Sequence, residues 1–270
     1  MKLPSECQPM SSSSGNTGRQ RVPAFDVRGQ IGAFQAAFRA EGTTERAVGQ
    51  KAYLKSKLEF HGVTIPIIRR TAKAFRREHR HLGRDDLLAL IEGLWATPHH
   101  DLRSLAIALL ELYVDVLQAG DMDIAEELLR HCHTWDHVDW LSTKVAGSLV
   151  ERHTEAKRVL PSWSGDEHFW LRRASMLALL GPLRSGQGDF GLFARFASGM
   201  VEEEEFFIRK AIGWVLREVA KKRPELTYAF LAEHLDRVSG LTLREGAKYL
   251  PAEQQAELKK RYQARSGKRR

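Results

Sequence analysis

FFIRKAIGWVLREVAKK, Phe206 to Lys222, is helical in pattern. Ile208, Ile212, Val215 and Val219 recur at the 3.6-residue period and make one narrow apolar stripe. Lys210, Trp214 and Arg217 fall on the opposite face. A large aromatic between two cations, turned away from the core stripe, suits a surface that meets an anionic, partly apolar ligand, and nucleic acid fits that description. The competing reading is a Trp covered by a second layer of helices.

The same pattern runs outward in both directions. Helices are expected near 27–41, 43–57, 64–79, 85–95, 99–118, 122–132, 136–151, 153–160, 167–180, 188–199, 204–222, 224–236, 241–249 and 252–262. Breakers mark the joints: Thr97-Pro98, Ser162 through Asp166, Gly181-Pro182, Gly186 through Gly188, and Pro224 opening a helix. No sustained period-2 alternation and no Asn-Gly or Asp-Gly hairpin between β-branched runs is present. Short loops between many helices predict an all-α fold, an α-solenoid of stacked antiparallel helix pairs of the HEAT type. Its period would be about 40 residues, with a concave face for an extended partner. A compact helical domain without repeats is the alternative, because the self-similarity is weak.

The chain has 270 residues, 43% hydrophobic and 28% charged, ordinary values for a globular protein with a sizeable core. The expected division is a disordered Ser-rich tail over 1–22, a helical repeat domain over 23–258 and a basic tail over 259–270. No apolar run approaches a membrane span, and the N-terminal stretch lacks the apolar region of a secretory signal. Cys7 and Cys132 are the only cysteines; with Cys7 in the tail, a structural disulfide is not expected, and the cytoplasm is the expected location, nucleoid-associated in a prokaryote. The formal charge of +8 comes from the ends: +7 from residues 259–270 and +2 from residues 1–21, leaving the body near −1. If the body binds DNA, its cations must therefore be gathered on one face. The basic tail either adds phosphate affinity or aids solubility.

Two more segments carry chemistry. In HTWDHVDWLSTKVAGSLVERH, ending at His153, Val138, Leu141, Val145 and Leu149 form the apolar stripe, and Asp136, Asp139, Trp140, Thr143 and Gly147 project from the other side. Asp136 reads as a cap or as a charge at the positive end of the helix dipole. Asp139, a turn later, has no such reason to be there: it is a surface carboxylate, an arginine's partner, or a functional group. In HFWLRRASMLALLG, His168 to Gly181, Trp170, Ala174, Leu177 and Leu180 make an apolar arc with Arg173 inside it and Arg172 outside. A guanidinium there needs a partner, either a carboxylate of the fold or a ligand phosphate.

With these segments in place, the chain resembles the AlkD-type DNA alkylation repair glycosylases, built from HEAT-like repeats. The resemblance runs in order through YLKSKLEFHGVTIPIIRR (Tyr53 to Arg70), TWDHVD (Thr134 to Asp139), FWLRRA (Phe169 to Ala174) and FFIRKAIGWVLRE (Phe206 to Glu218). It covers roughly residues 25–250 and implies a monofunctional glycosylase acting on cationic N3- or N7-alkylated purines in double-stranded DNA. By position, Asp139 resembles the family's catalytic carboxylate and Arg173 its essential arginine, expected to hold a phosphate near the lesion. Trp135 and Trp214 resemble its two aromatics on the lesion's deoxyribose. Tyr53 resembles a tyrosine near the DNA and Arg217 a backbone contact; Lys210, Arg69 and Arg70 are further candidates for DNA contact. The family often carries two tryptophans before the first Asp of TWDHVD, where this chain has His133-Thr134-Trp135.

No cofactor is expected. His131-Cys132-His133, with His137 nearby, does not match common zinc spacings, so no metal is expected either. Walker-type loops, GxGxxG, GxSxG and HExxH are absent. A monomer is expected, bound to alkylated duplex DNA and not to membrane. Against the enzyme stand a noncatalytic HEAT-like protein that binds damaged or branched DNA, for which Asp139 would be dispensable, and a helical scaffold for a protein partner, for which none of the four site positions would be needed.

Overall fold

The computed structural model describes residues 25–268, and the expected tail over 1–22 lies outside them. The described residues hold no strand; one isolated parallel bridge joins Glu59 to His99. Sixteen α-helices occur in order among them. They begin with α1 (Val27–Glu41), α2 (Thr44–Leu54), α3 (Ile65–Glu78), α4 (Arg84–Trp95), α5 (His100–Leu112) and α6 (Met122–Arg130). Next come α7 (Trp135–Trp140), α8 (Gly147–Arg152), α9 (Leu160–Ser164), α10 (Phe169–Leu177) and α11 (Leu180–Arg184). The last are α12 (Phe190–Met200), α13 (Phe206–Ala220), α14 (Pro224–Glu233), α15 (Gly240–Gly246) and α16 (Ala252–Lys268).

Local chemistry sets the ends. The side chains of Asp26, Thr43, Asp189 and Ser239 accept from backbone amides of the first turns of α1, α2, α12 and α15, which satisfies donors that have no partner inside the helix. Pro66 and Pro224 sit in the first turns of α3 and α14, where no donor is lost. The expected helix over 99–118 stops at Leu112 and gives way to two short 3-10 turns. The expected helix over 167–180 divides at Ala178 and Leu179 into α10 and α11. Conversely, α16 carries the helix through Lys268, so most of the basic run begins as helix.

The architecture is a helical-repeat fold. Side-chain bonds between elements reach about one repeat along the chain: Arg84 to Asp121, Arg130 to Asp166, Arg173 to Asp139, Ser198 to His234 and Lys210 to Glu245 join residues 34 to 37 apart. Each unit thus binds its neighbour, as expected of a quasi-one-dimensional stack. The weak sequence repeat is therefore explicit in the pairing. Burial follows the apolar stripes. Ile208, Ile212, Val215 and Val219 are inaccessible in the core, while Phe207, Lys210, Trp214 and Arg217 form the less buried face of α13. Gly213 lets α15 approach α13, since a Cβ there would stand 2.6 Å from the Cβ of Glu245.

Candidate active site

Between α7 and α8 the helix does not keep its register. Leu141–Ala146 is π-helical, and the amide of Gly147 reaches back five residues to the Ser142 carbonyl. The hydroxyls of Ser142 and Thr143 donate to the carbonyls of Val138 and Asp139 at the register change, each at 2.6 Å. The wider turn rotates α8 relative to its place in a plain α-helix. The expectation that Gly147 projects with Asp139 is thereby corrected: Gly147 is buried, with Ala178 O only 3.2 Å from where its Cβ would be. Upstream of the π turn, Trp135 and Asp139 are one helical turn apart on one side of α7.

Asp139 meets Arg173 of α10. Nε donates to Oδ1 at 2.7 Å and Nη2 to Oδ2 at 2.9 Å, while Nη1 donates to the carbonyl of Phe207 at the start of α13. The Arg173 side chain is 3% exposed and that of Asp139 is 17% exposed. Of the two partners foreseen for Arg173, the structure supplies the carboxylate, and all three guanidinium nitrogens are engaged within the protein. Burial pushes the Asp139 carboxyl above its ordinary range; Arg173 pulls it back, and the charge of Asp136 pushes it up again.

Trp135 and Trp214 are half-buried and packed against the core. Trp135 meets the exposed Tyr53 of α2 edge-on, ring centres 6.2 Å apart. A cavity of about 230 Å³ runs beside them, lined by Tyr53, Phe60, His100, Trp135 and Asp136. Trp214 is linked to the centre through its helix: it lies on the same face of α13 as Phe207, two turns and about 10 Å further along the axis.

The cations proposed for DNA all have acidic partners. Arg69 of α3 lies over the Trp140 ring at 4.7 Å and 3.4 Å from Glu111, which also accepts from the Trp140 indole. Arg70 pairs with Glu41. Lys210 and Arg217, on either side of Trp214, share Glu245 of α15. In the basic run of α3, Arg76 pairs with Asp115, while Lys73 and Arg77 are exposed. Lys144 is exposed as well.

Beneath Asp136, aromatic rings form a column. Phe60 stacks on His100 at 4.5 Å and His100 on His137 at 4.0 Å, both pairs nearly parallel. His100 Nε2 lies 3.1 Å from Asp136 Oδ2, and His137 Nε2 is 2.8 Å from Ser104 Oγ. His100, Asp136 and His137 bring potential ligand atoms within 4.8 Å of one another. As the side chains stand, His100 Nε2 is turned to Asp136 and His137 Nε2 to Ser104. The triplet considered from sequence is dispersed: His131 binds Glu127, Cys132 is buried, and His133 is exposed.

A half-buried carboxylate held by a buried arginine, one helical turn from an indole that meets a phenol ring, coincides with the positions matched to alkylation repair proteins. The sequence profile described as DNA alkylation repair enzyme matches residues 34–250. The chain belongs to that family. Among solved structures it is similar to a predicted DNA alkylation repair enzyme from Enterococcus faecalis, with 28% identity and a TM-score of 0.70, over 78% of this chain and 98% of that one. It shares the fold of AlkD2 from Streptococcus mutans at 12% identity and a TM-score of 0.59, over 84% of this chain and 100% of that one. No curated protein sequence matches significantly. Membership of the family carries a role in DNA repair and binding to DNA. Among the described residues, no helix is long and apolar enough to cross a membrane.

Sequence reasoning missed Glu111, Glu245 and His100. Each is an ordinary residue in its own helix, and its partner is about one repeat away. A search for opposite charges 34 to 36 residues apart would have paired Lys210 with Glu245 and Asp139 with Arg173.

Proposed function

We propose that the protein is a monofunctional DNA glycosylase that hydrolyses the N-glycosidic bond of cationic N3- or N7-alkylated purines in duplex DNA. The observation that carries this reading is the Asp139 carboxylate, kept partly open to solvent while Arg173 fixes both of its oxygens.

An alkylated purine is already cationic, so it departs with the bonding pair as a neutral base and needs no general acid. Positive charge builds on the sugar, and water adds at C1′ and loses a proton. Asp139 faces that charge and orients the water, in an environment arranged before the reaction begins. At about 4 Å and an effective dielectric of about 20, its gross Coulomb attraction is about 4 kcal/mol, which corresponds to about a thousandfold in rate if wholly differential. Trp135 and Trp214 pack on the deoxyribose and present electron-rich faces to the developing cation. Arg173 positions Asp139 rather than gripping a phosphate. Tyr53, Arg69, Arg70, Lys210 and Arg217 contact the duplex, the cations exchanging carboxylate partners for phosphates. The base stays largely unextruded, no cofactor takes part, and the protein works as a monomer in the compartment that holds the DNA.

The test is release of free base from a duplex bearing one 7-methylguanine, with wild type beside Asp139→Asn. Release by wild type alone supports the enzyme. Duplex binding without release above spontaneous depurination replaces it with noncatalytic recognition of damaged DNA. Efficient excision of neutral uracil would also defeat the mechanism, since that base needs help to leave.

A further inference from the structure

Asp136 is held by more than a first-turn carboxylate needs. Thr134, not Asp136, is the residue that precedes α7. Asp136 instead receives His100 Nε2, and the His100 ring is clamped between Phe60 and His137, with His137 fixed in turn by Ser104 and packed near Trp95 at 5.7 Å. Elements on both sides of the cavity beside Tyr53 and Trp135 thus combine to aim one imidazole at one carboxylate.

A second observation gives that carboxylate a task. Asp139 and Arg173 together carry no net charge, so toward the sugar they present a dipole. Asp136 stands three residues before Asp139 on the same helix, close enough for their side chains to face one another. It lines the cavity under Trp135. We propose that Asp136, aimed by His100, is a positioning residue of the reaction: its negative charge acts through Asp139 and offsets the part of the Asp139 field that Arg173 cancels. This rests on the glycosylase reading.

The charged groups acting on Asp139 are Arg173 from α10 and Asp136 from its own helix; α13 contributes the Phe207 carbonyl to the pair. The titratable groups facing Asp136 are His100 from α5 and His137 beside it. Burial would raise the Asp136 carboxyl, but the hydrogen bond from His100, with the neighbouring His137 and Thr134, brings it below the ordinary range. Asp136 therefore stays ionised while Asp139 titrates, and its charge raises Asp139.

The experiment is the pH profile of base release for wild type, Asp136→Asn and His100→Phe. Asparagine keeps the shape of Asp136 and removes its charge; phenylalanine keeps the ring column and removes the donor. In Asp136→Asn the plateau should fall about tenfold and the acid limb should move to lower pH, because Asp139 loses a like-charged neighbour. In His100→Phe the plateau should fall less, and the limb should move the same way as in Asp136→Asn but by less, because Asp136 now protonates earlier and so withdraws its like charge from Asp139 over part of the range. A uniform rate loss with an unmoved limb in both variants makes Asp136 merely structural and overturns the proposal. If Asp136→Asn does not fold, His100→Phe alone decides by the same limb. If wild type releases no base, the glycosylase reading falls, and a carbon-13 carboxyl titration of Asp139 decides the coupling separately: a lower Asp139 midpoint in Asp136→Asn sustains it, and an unchanged midpoint ends it.

Discussion

Arg173 grips Asp139 in a two-point fork across 34 residues of sequence, and the third guanidinium nitrogen holds the Phe207 carbonyl. One side chain thus ties three successive units of the stack together at the place where the chemistry is proposed. A planar fork fixes both the position and the plane of the carboxylate, which a point charge does not.

Asp139→Asn is expected to slow release of 7-methylguanine about a hundred- to a thousandfold, and to lower the melting temperature because the buried Arg173 guanidinium loses its charged partner. In wild type the rate should fall as pH drops through the Asp139 midpoint. That limb should lie above the usual carboxylate range, because burial raises the group. Single-turnover rates between pH 4 and 8, corrected for spontaneous depurination, provide the check.

Arg173→Lys should retain charge but lose the fork, and should release base at least about tenfold more slowly than wild type. Arg173→Met should cost stability as well, about 3 kcal/mol, by leaving a half-buried carboxylate unpaired. Urea unfolding of both variants at pH 7 separates the effects: wild-type stability of Arg173→Met would mean that the pair is not needed for the fold.

His137 is buried, and burial lowers its pKa to about 3 from 6.5. Its folded value is depressed, so the unfolded chain binds the proton first. Its contribution is present above pH 6.5 and is lost as pH falls from there toward 3. On this group alone, on the order of 2 kcal/mol should disappear between pH 7 and pH 5. Chemical denaturation at the two pH values tests it, with His137→Phe expected to flatten the difference.

Chelation should leave base release unchanged if, as proposed, water is directed by a carboxylate. Loss of activity in EDTA, restored by one divalent ion, would bring His100, Asp136 and His137 back as ligands and remove their reading as a ring column.

The fold was legible because apolar stripes and breakers are local properties. The helix at Phe206 and its two faces are where periodicity put them. The segment after Asp139 was harder. Its apolar residues Val138, Leu141, Val145 and Leu149 are all buried as expected, yet Gly147 is not on the side that a constant 3.6-residue period gives. A π turn costs no apolar residue and leaves no simple mark on the pattern. At the candidate site, Asp139 and Arg173 stood out because each was misplaced by the logic of its own helix. Glu111, Glu245 and His100 were not misplaced, and only the stacking of repeats gives them partners. The same stacking gives Lys210 and Arg217 a shared acid that their own helix does not reveal.

The π turn is in effect one surplus residue lodged in a helix, and a surplus residue can be taken out. Removing Thr143 would let the segment close into a plain α-helix, with every apolar side chain retained. Trp135 and Asp139 would then be turned by about 100° relative to α8. The carboxylate would leave the reach of Arg173 without any site residue having changed. Seen this way, Leu141–Ala146 is an indexing thread: it sets the angle at which the rest of the machinery meets its target.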